Sequence, residues 1–443
     1  MCESLSTNPN AQRPKRLWLR GALVLACLGG CGRLGYQPVG GALDGSPDAE
    51  PRDGGVRDTG GDAGFPDAKI DDAGSDAGDD AGAAMCRDVV PTRRAVDVEC
   101  GPFFSCAILE DGALMCWGEN GQGQLGLGDT GDRTEPARVA PGTTWRAAAL
   151  GVRHSCAIRS DGSLWCWGAN DEAQLGLGDR LARGNLPLQV EAASDWVAIA
   201  AGDKHSCGIR SGGALYCWGS NADGQIGLGA PVLRALAPTR VGTEVGWDGL
   251  DAGPQHTCAI RAAGLSCWGS NNAGQLGVGD TAVRTVPTAV AGALSARRVS
   301  AGETHTCAVG WSGELYCWGQ GSGGRLGTGG VADELVPVPV IGTIGWGQIT
   351  TGKRTSLGID SSRALFGFGN NNEGELPTAG PLGSLVPIPL LAGESFLDVS
   401  AGEEHTCVLR ADGTVGCSGA NLSGQLGDGT TTAAPLPTTI CFR

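Results

Sequence analysis

Two ladders of residues, each climbing at a step close to 50, restrict this chain to a repetitive architecture. Cys106, Cys156, Cys207, Cys258, Cys307 and Cys407 stand in one register, with Leu357 filling the gap, at steps of 50, 51, 51, 49, 50 and 50. Pro136, Pro187, Pro238, Pro287, Pro337, Pro387 and Pro437 form the second ladder, and each is followed three residues later by Val, Leu or Ile. Two unrelated residue types keeping one period mark a tandem array, in which each unit buries its apolar face against the next.

The unit beginning at Trp196 serves as the pattern. An apolar run over 196–200 ends before Gly202, and a second run starts at His205. Ser211, Gly212 and Gly213 make a turn, and residues 215–219 run back through Trp218. A glycine-rich loop through Gly229 leads to a last run at Pro238 to Val241. Four short runs between Gly, Asp and Asn turns, without a helical period, predict four strands. Four strands at a period near 50 predict an all-β fold, with each unit one blade of a propeller. The first hairpin lacks a proline strand before it, and the last proline strand, ending at Ile440, has no hairpin after it. That reading closes the ring by a clasp of the C-terminal strand with the N-terminal blade, which removes exposed edges.

Ahead of the repeats lie two further regions. Arg13, Lys15, Arg16 and Arg20 precede an apolar run over 23–28, which is too short to span a bilayer. The sequence Leu28-Gly29-Gly30-Cys31 resembles the bacterial lipobox. That resemblance implies a signal peptide over 1–30 and lipid attachment at Cys31, and Gly32 in place of Asp implies the outer membrane or cell surface. Residues 31–84 are expected to be a linker. Between Gly40 and Ala84 it carries 12 acidic and 3 basic residues and few large apolar ones, so it predicts an extended acidic tether. Its Asp spacing fits neither an EF-hand loop nor a nonapeptide calcium roll. The folded domain is assigned to 85–443.

The repeat also matches a known pattern. Ala-Gly-x-x-His-[Ser/Thr] followed by Trp-Gly-x-Asn-x-x-Gly-Gln-Leu-Gly-x-Gly resembles the repeat of the regulator of chromosome condensation family, over residues 95–440. Good copies span 251–279 and 301–329. The resemblance implies a seven-bladed β-propeller. It also implies a structural role for His154, His205, His256, His305 and His405, and buried positions for Trp117, Trp167, Trp218, Trp268 and Trp318. Copy 1 departs with Phe104 for His, and copy 7 with Ser418 for Trp. Copy 6 departs most, with Thr355, Phe368 and Glu375-Leu-Pro377 replacing His, Trp and Gln-Leu-Gly.

Eighteen cysteines point to an oxidising compartment. Six hairpins carry facing pairs, Cys106/Cys116, Cys156/Cys166, Cys207/Cys217, Cys258/Cys267, Cys307/Cys317 and Cys407/Cys417. Copy 6 loses both members at once, to Leu357 and Gly367. Retention and loss in pairs predicts disulfides. A competing reading takes the recurring His-x-Cys and its facing Cys as three zinc ligands; the expectation is no metal and no cofactor. Cys86 and Cys441 are placed to staple the ring, which leaves Cys100 free or paired with one of them.

The formal charge of −15 argues against nucleic acid. No Ser-His-Asp constellation and no phosphate-cradling Gly-x-x-x-x-Gly-Lys occurs, so no catalytic residue is assigned. Repeated residues report architecture and single-copy residues report function. The inter-blade loops at 129–135 and 179–184 are the places to look for the latter. The expected role is a monomeric, envelope-tethered binding or scaffold propeller, touching the membrane through its lipid anchor only and presenting loops to an extracellular protein or glycan. The alternative is a lyase or hydrolase using carboxylates in the channel. A guanine nucleotide exchange factor, as in the family's eukaryotic namesake, is disfavoured because an exported chain would not meet a cytosolic GTPase. A pocket with clustered acids favours the enzyme, and a flat variable face favours the binder.

Overall fold

The computed structural model describes residues 93–442, apart from 182, 183, 343, 344 and 381. Cys31, the expected signal peptide and linker, and Cys86 lie outside the described residues. Blade 1 consists of β1 (Ala95–Cys100), β2 (Phe104–Leu109), β3 (Leu114–Gly118) and β4 (Arg133–Arg138). Six further blades repeat this arrangement to β28 (Ala434–Thr439), each an antiparallel sheet of four sequence-consecutive strands. First strands of neighbouring blades touch one another around the ring and line its axis. The fourth strands are the half-exposed ones.

Burial follows strand position. In β2 every residue is buried, because a central strand packs against blades on both faces. The proline ladder falls in the outer strand, where a missing N–H costs no ladder bond. Pro136 sits inside a register shift, since Cys116 pairs with Ala137 while Gly118 pairs with Arg133. The cores lie between blades. One cluster joins Cys106, Cys116, Leu125 and Val139 of blade 1 to Trp145, Ala157 and Trp167 of blade 2. A single unit therefore has no core of its own.

The C-terminal strand does not cross into the first blade. β28 pairs with β27 (Val415–Gly419) of its own blade, with Gly416 opposite Thr439 and Gly419 opposite Ala434. Each proline strand follows its hairpin and completes the same blade, while β1 supplies the inner strand of blade 1. Seven hairpins and seven proline strands thus match without exchange. Side-by-side packing closes the ring instead. Ala95 donates its N–H to Gly413 O at 2.9 Å, and the Trp117 indole packs against Phe442 with ring centroids 6.1 Å apart.

The six hairpin cystines are Cys106–Cys116, Cys156–Cys166, Cys207–Cys217, Cys258–Cys267, Cys307–Cys317 and Cys407–Cys417. Each joins directly facing residues at a Cα separation of 4.1 Å. They are core groups. Cys217, Cys267 and Cys317 are fully buried, each in a different inter-blade cluster beside Trp218, Leu276 and Trp346 respectively. In copy 6 the buried Leu357 faces Gly367, where an added Cβ would lie 2.7 Å from Leu390 Cδ1 and 2.8 Å from Leu376 Cδ2. One leucine and one glycine there take the place of a cystine. Cys441 is also disulfide-bonded, and Cys100 is the free cysteine among the described residues.

Candidate functional site: the channel mouth at the histidine end

Strand register sorts the loops into two ends. His154 faces Gly168, and Gly168 faces Gly184. The Ala-Gly-x-x-His loops and the long glycine-rich loops therefore share one end of the ring. The hairpin turns occupy the other.

At the histidine end the repeated residues are committed to joining blades. His154 Nε2 lies 2.8 Å from Ser206 Oγ of the next blade, and Ser206 Oγ donates to Gln174 O at 2.9 Å. A hydroxyl that gives its hydrogen away can only accept, so the imidazole carries its hydrogen on Nε2. The same bridge joins His205 to Thr257, His256 to Thr306, His305 to Ser356, and His405 to Ser105. Indole N–H groups bond to the same backbone oxygens: Trp167 donates to Gln124 O, Trp218 to Gln174 O, Trp268 to Gln225 O, Trp318 to Gln275 O and Trp117 to Gln425 O. The motif glycines leave room for these rings. A Cβ at Gly202 would meet His205 Cε1 at 2.3 Å, and one at Gly176 would meet Trp218 Cδ1 at 2.8 Å. Burial drives His154, His256 and His405 down to about 4, and His205 and His305 down to about 3. They are neutral connectors, as the repeat pattern implies.

The zinc alternative meets a crowded centre. Cys100 Sγ, a His405 ring nitrogen and Cys407 Sγ lie within 4.8 Å of one another. The Ser105 hydroxyl sits among them, 2.8 Å from His405 Nε2 and 3.6 Å from Cys407 Sγ. The Cys407 sulfur is itself bound to Cys417. As built, this group offers neither the space nor the thiolates of a ligand set. In the other copies the facing cysteines, Cys217, Cys267 and Cys317 among them, are likewise consumed in cystines and have no thiolate to offer a metal.

Where the repeat breaks, a cavity opens. The residue after the motif glycine is Pro102, Val152, Asp203, Pro254, Glu303, Lys353 and Glu403 in the seven copies. A cavity of about 320 Å³ is lined by five of these, Val152, Asp203, Pro254, Glu303 and Glu403, with Gln255, Ser270 and Thr304 among the others. None of the hairpin cysteines, motif histidines or motif tryptophans lines it. Residues from five blades share one cavity only on the ring axis, so this is the mouth of the channel. Asp203 is raised by burial, with the Glu403 carboxylate adding to it against the cations of Lys204 and Arg153. Lys353 bonds Glu403 Oε2 at 2.9 Å, which holds its ammonium above the usual range. Arg325, standing where five other copies have Gln, is buried and donates to Thr304 Oγ1 at 3.1 Å and Lys353 O at 3.0 Å. It ties two mouth loops together. Three inward carboxylates around a small cavity can receive ammonium, guanidinium or hydroxyl donors.

The loops singled out in the sequence behave differently. Asn120 Nδ2 donates to Asp129 O at 3.1 Å, and Asn170 and Asn271 repeat this with Asp179 and Asp280. Asp132 Oδ1 accepts from Asn120 N at 2.8 Å. Asp129 and Asp179 are thus repeat positions that shape the loop. The mouth carboxylates escape a motif search because they sit inside the motif, at its variable position. Reading that one column down the seven copies finds them.

A closed ring of seven four-stranded blades, joined by histidine and tryptophan bridges and open at a non-repeated mouth, defines a repeat-type β-propeller. The chain belongs to the regulator of chromosome condensation (RCC1) repeat family. That repeat matches residues 111–158, 161–209, 212–260, 266–309 and 312–359. A second description of it matches 95–124, 145–174, 196–225 and 396–425. The ultraviolet-B receptor UVR8 of Arabidopsis thaliana is 33% identical over 141 residues, which is 30% of this chain and 31% of the receptor. The human regulator of chromosome condensation is 26% identical over 159 residues, 35% of this chain and 38% of that protein. The chain therefore spans about a third of the length of these curated relatives. Among solved structures, yeast RCC1 (Prp20) bound to Kap60 superposes with a TM-score of 0.66 at 20% identity, over 84% of this chain and 89% of that one. Human WBSCR16 superposes at 0.68 with 18% identity, over 74% and 94%. At such identities the likeness concerns the fold alone.

Proposed function

We propose that this is an envelope-tethered binding propeller that presents its histidine-end mouth to an extracellular protein or glycan. The observation that carries the reading is the break in the repeat at the mouth. Residues shared by the copies are used up in holding blades together, whereas the residue after the motif glycine varies from copy to copy, and its three carboxylates, Asp203, Glu303 and Glu403, line a cavity. A volume of about 320 Å³ is at the small end for a ligand pocket and suits one basic side chain or one sugar ring. Yeast RCC1 (Prp20) has been described with its binding properties to Gsp1p and histones, which is precedent for partner binding by this fold. The hairpin cystines support an oxidising location, and an acylated Cys31 would supply the tether. No helix among the described residues is long and apolar enough to cross a membrane.

The clustered carboxylates also favour a second reading, a lyase or hydrolase using Asp203, whose carboxyl burial raises, together with Glu303 and Glu403. One experiment separates the two. A photo-crosslinking residue is placed at Pro254 in the mouth, or at Gly212 in an exposed hairpin turn, in the full chain in its native cell. Binding predicts a discrete adduct from position 254 and none from 212. Adducts from 212 alone would refute the mouth as the binding face. Substrate turnover lost in Asp203→Asn, with no adduct from either position, would favour the enzyme.

A further inference from the structure

We propose that Cys100 and the Cys407–Cys417 cystine form a thiol–disulfide exchange pair, able to move a covalent bond from the last hairpin onto the seam that closes the ring. Cys100 ends β1, at the residue before the motif glycine. The equivalent positions are Leu150, Ala201, Ala252, Ala301, Thr351 and Ala401, so sulfur stands here in one copy alone. This copy faces the closing seam. Cys100 donates its N–H to Ser400 Oγ at 2.9 Å, and its thiol donates to Ser400 O at 3.3 Å. Ser400 is the cross-strand partner of Cys407 in blade 7, which brings Cys100 Sγ within 4.8 Å of Cys407 Sγ. Three sulfurs from the first and last blades thus meet where no strand exchange joins them.

The exchange needs no outside oxidant. The Cys100 thiolate attacks Cys407 Sγ, a Cys100–Cys407 bond forms, and the Cys407–Cys417 bond breaks. The electron pair leaves on Cys417, which takes up the proton that Cys100 gave away. One disulfide is present before and after. The product links blade 1 to blade 7 covalently and frees the blade 7 hairpin. Burial pushes the Cys100 thiol up to about 12, which keeps it protonated, so the hairpin form is the resting state and exchange awaits loosening of the seam.

The test uses the full chain, with its seam loosened by urea below the unfolding transition, in a reduced and oxidised glutathione buffer at neutral pH. Samples are quenched with N-ethylmaleimide, digested without reduction and mapped by mass spectrometry. The proposal predicts a Cys100–Cys407 peptide accumulating together with N-ethylmaleimide-labelled Cys417. Cys417→Ser, which removes the competing partner, should form the Cys100–Cys407 link nearly completely with oxidised glutathione. Cys100→Ser should keep Cys407–Cys417 throughout. Absence of the cross-seam peptide in the wild type, or separate labelling of Cys100 and Cys407 in Cys417→Ser, would overturn it.

Discussion

Lowering the pH from 7 to 5 should cost the folded ring much of its stability through the histidine bridges alone. In the unfolded chain a histidine titrates near 6.5. In the ring, burial holds the five at about 3 to 4. Between those values the unfolded chain binds protons that the folded chain refuses, so stability rises with pH and is lost as pH falls below about 6.5. Each histidine then loses about 1.8 kcal/mol between pH 7 and pH 5, and five lose about 9 kcal/mol. That compares with the whole stability of a typical domain. Glu119, Asp203, Asp248 and Glu375, all raised by burial, act in the opposite sense and offset part of it. The assay is urea unfolding followed by tryptophan fluorescence at pH 7, 6 and 5, with cystines intact. Copy 1 supplies the control, because Phe104 already occupies the histidine position there and is fully buried. His256→Phe should cost about 1 kcal/mol at pH 7 for the lost bridge to Thr306, and should flatten the pH dependence by about one fifth. An unfolding midpoint unchanged from pH 7 to pH 5 would refute the burial of neutral imidazoles.

Glu375 is a buried carboxyl at a position that is Gln in five copies, raised first by burial. Glu375→Gln should therefore stabilise the ring by about 1 kcal/mol at pH 7, with the gain vanishing as pH falls below the unfolded glutamate range of about 4.3; unfolding midpoints at pH 7 and 4 check this. Replacing Cys156 and Cys166 by the Leu and Gly of copy 6 should cost less than replacing both by Ala: both changes give up about 2.7 kcal/mol of loop entropy, but only the Ala pair leaves a void, as calorimetry would show. The shortened turn of copy 4 holds Ala262 and Ala263 at φ of 48° and 66°. The double substitution Ala262→Asn with Ala263→Gly should raise the thermal midpoint by an amount corresponding to about 1 kcal/mol or more, because asparagine and glycine take up left-handed backbone at less cost.

Most of the ring was legible because its forces repeat. A cysteine in both central strands of every blade but one, a proline in each outer strand and a histidine at the head of five of the seven second strands all report a position in a blade. The pairing of Cys207 with Cys217, Cys258 with Cys267 and Cys307 with Cys317 could be read from retention in pairs, and the register places each pair face to face. Even the departures were informative, since Leu357 and Gly367 trade one cystine for one leucine. The closure differs from the sequence expectation because sequence shows the order of strands and not which hairpin a proline strand joins. Pairing of β28 with β27 settles it. The mouth is hidden for another reason. Asp203, Glu303 and Glu403 lie about 100 residues apart in steps and converge only because seven blades share one axis. Asp129 and Asp179 stand out in the sequence as loop residues, yet hydrogen bonding assigns them to the scaffold.

The most direct measurement compares partner capture and unfolding in the same variants. In Asp203→Asn, Glu303→Gln and Glu403→Gln combined, crosslinking from position 254 should be lost while the thermal midpoint stays within a few degrees of wild type. Trp218→Ala should do the reverse, lowering stability by about 3–5 kcal/mol and leaving capture intact in whatever fraction remains folded. Capture that survives neutralisation of all three carboxylates, and disappears with substitutions in the hairpin turns at the opposite end, would contradict the account.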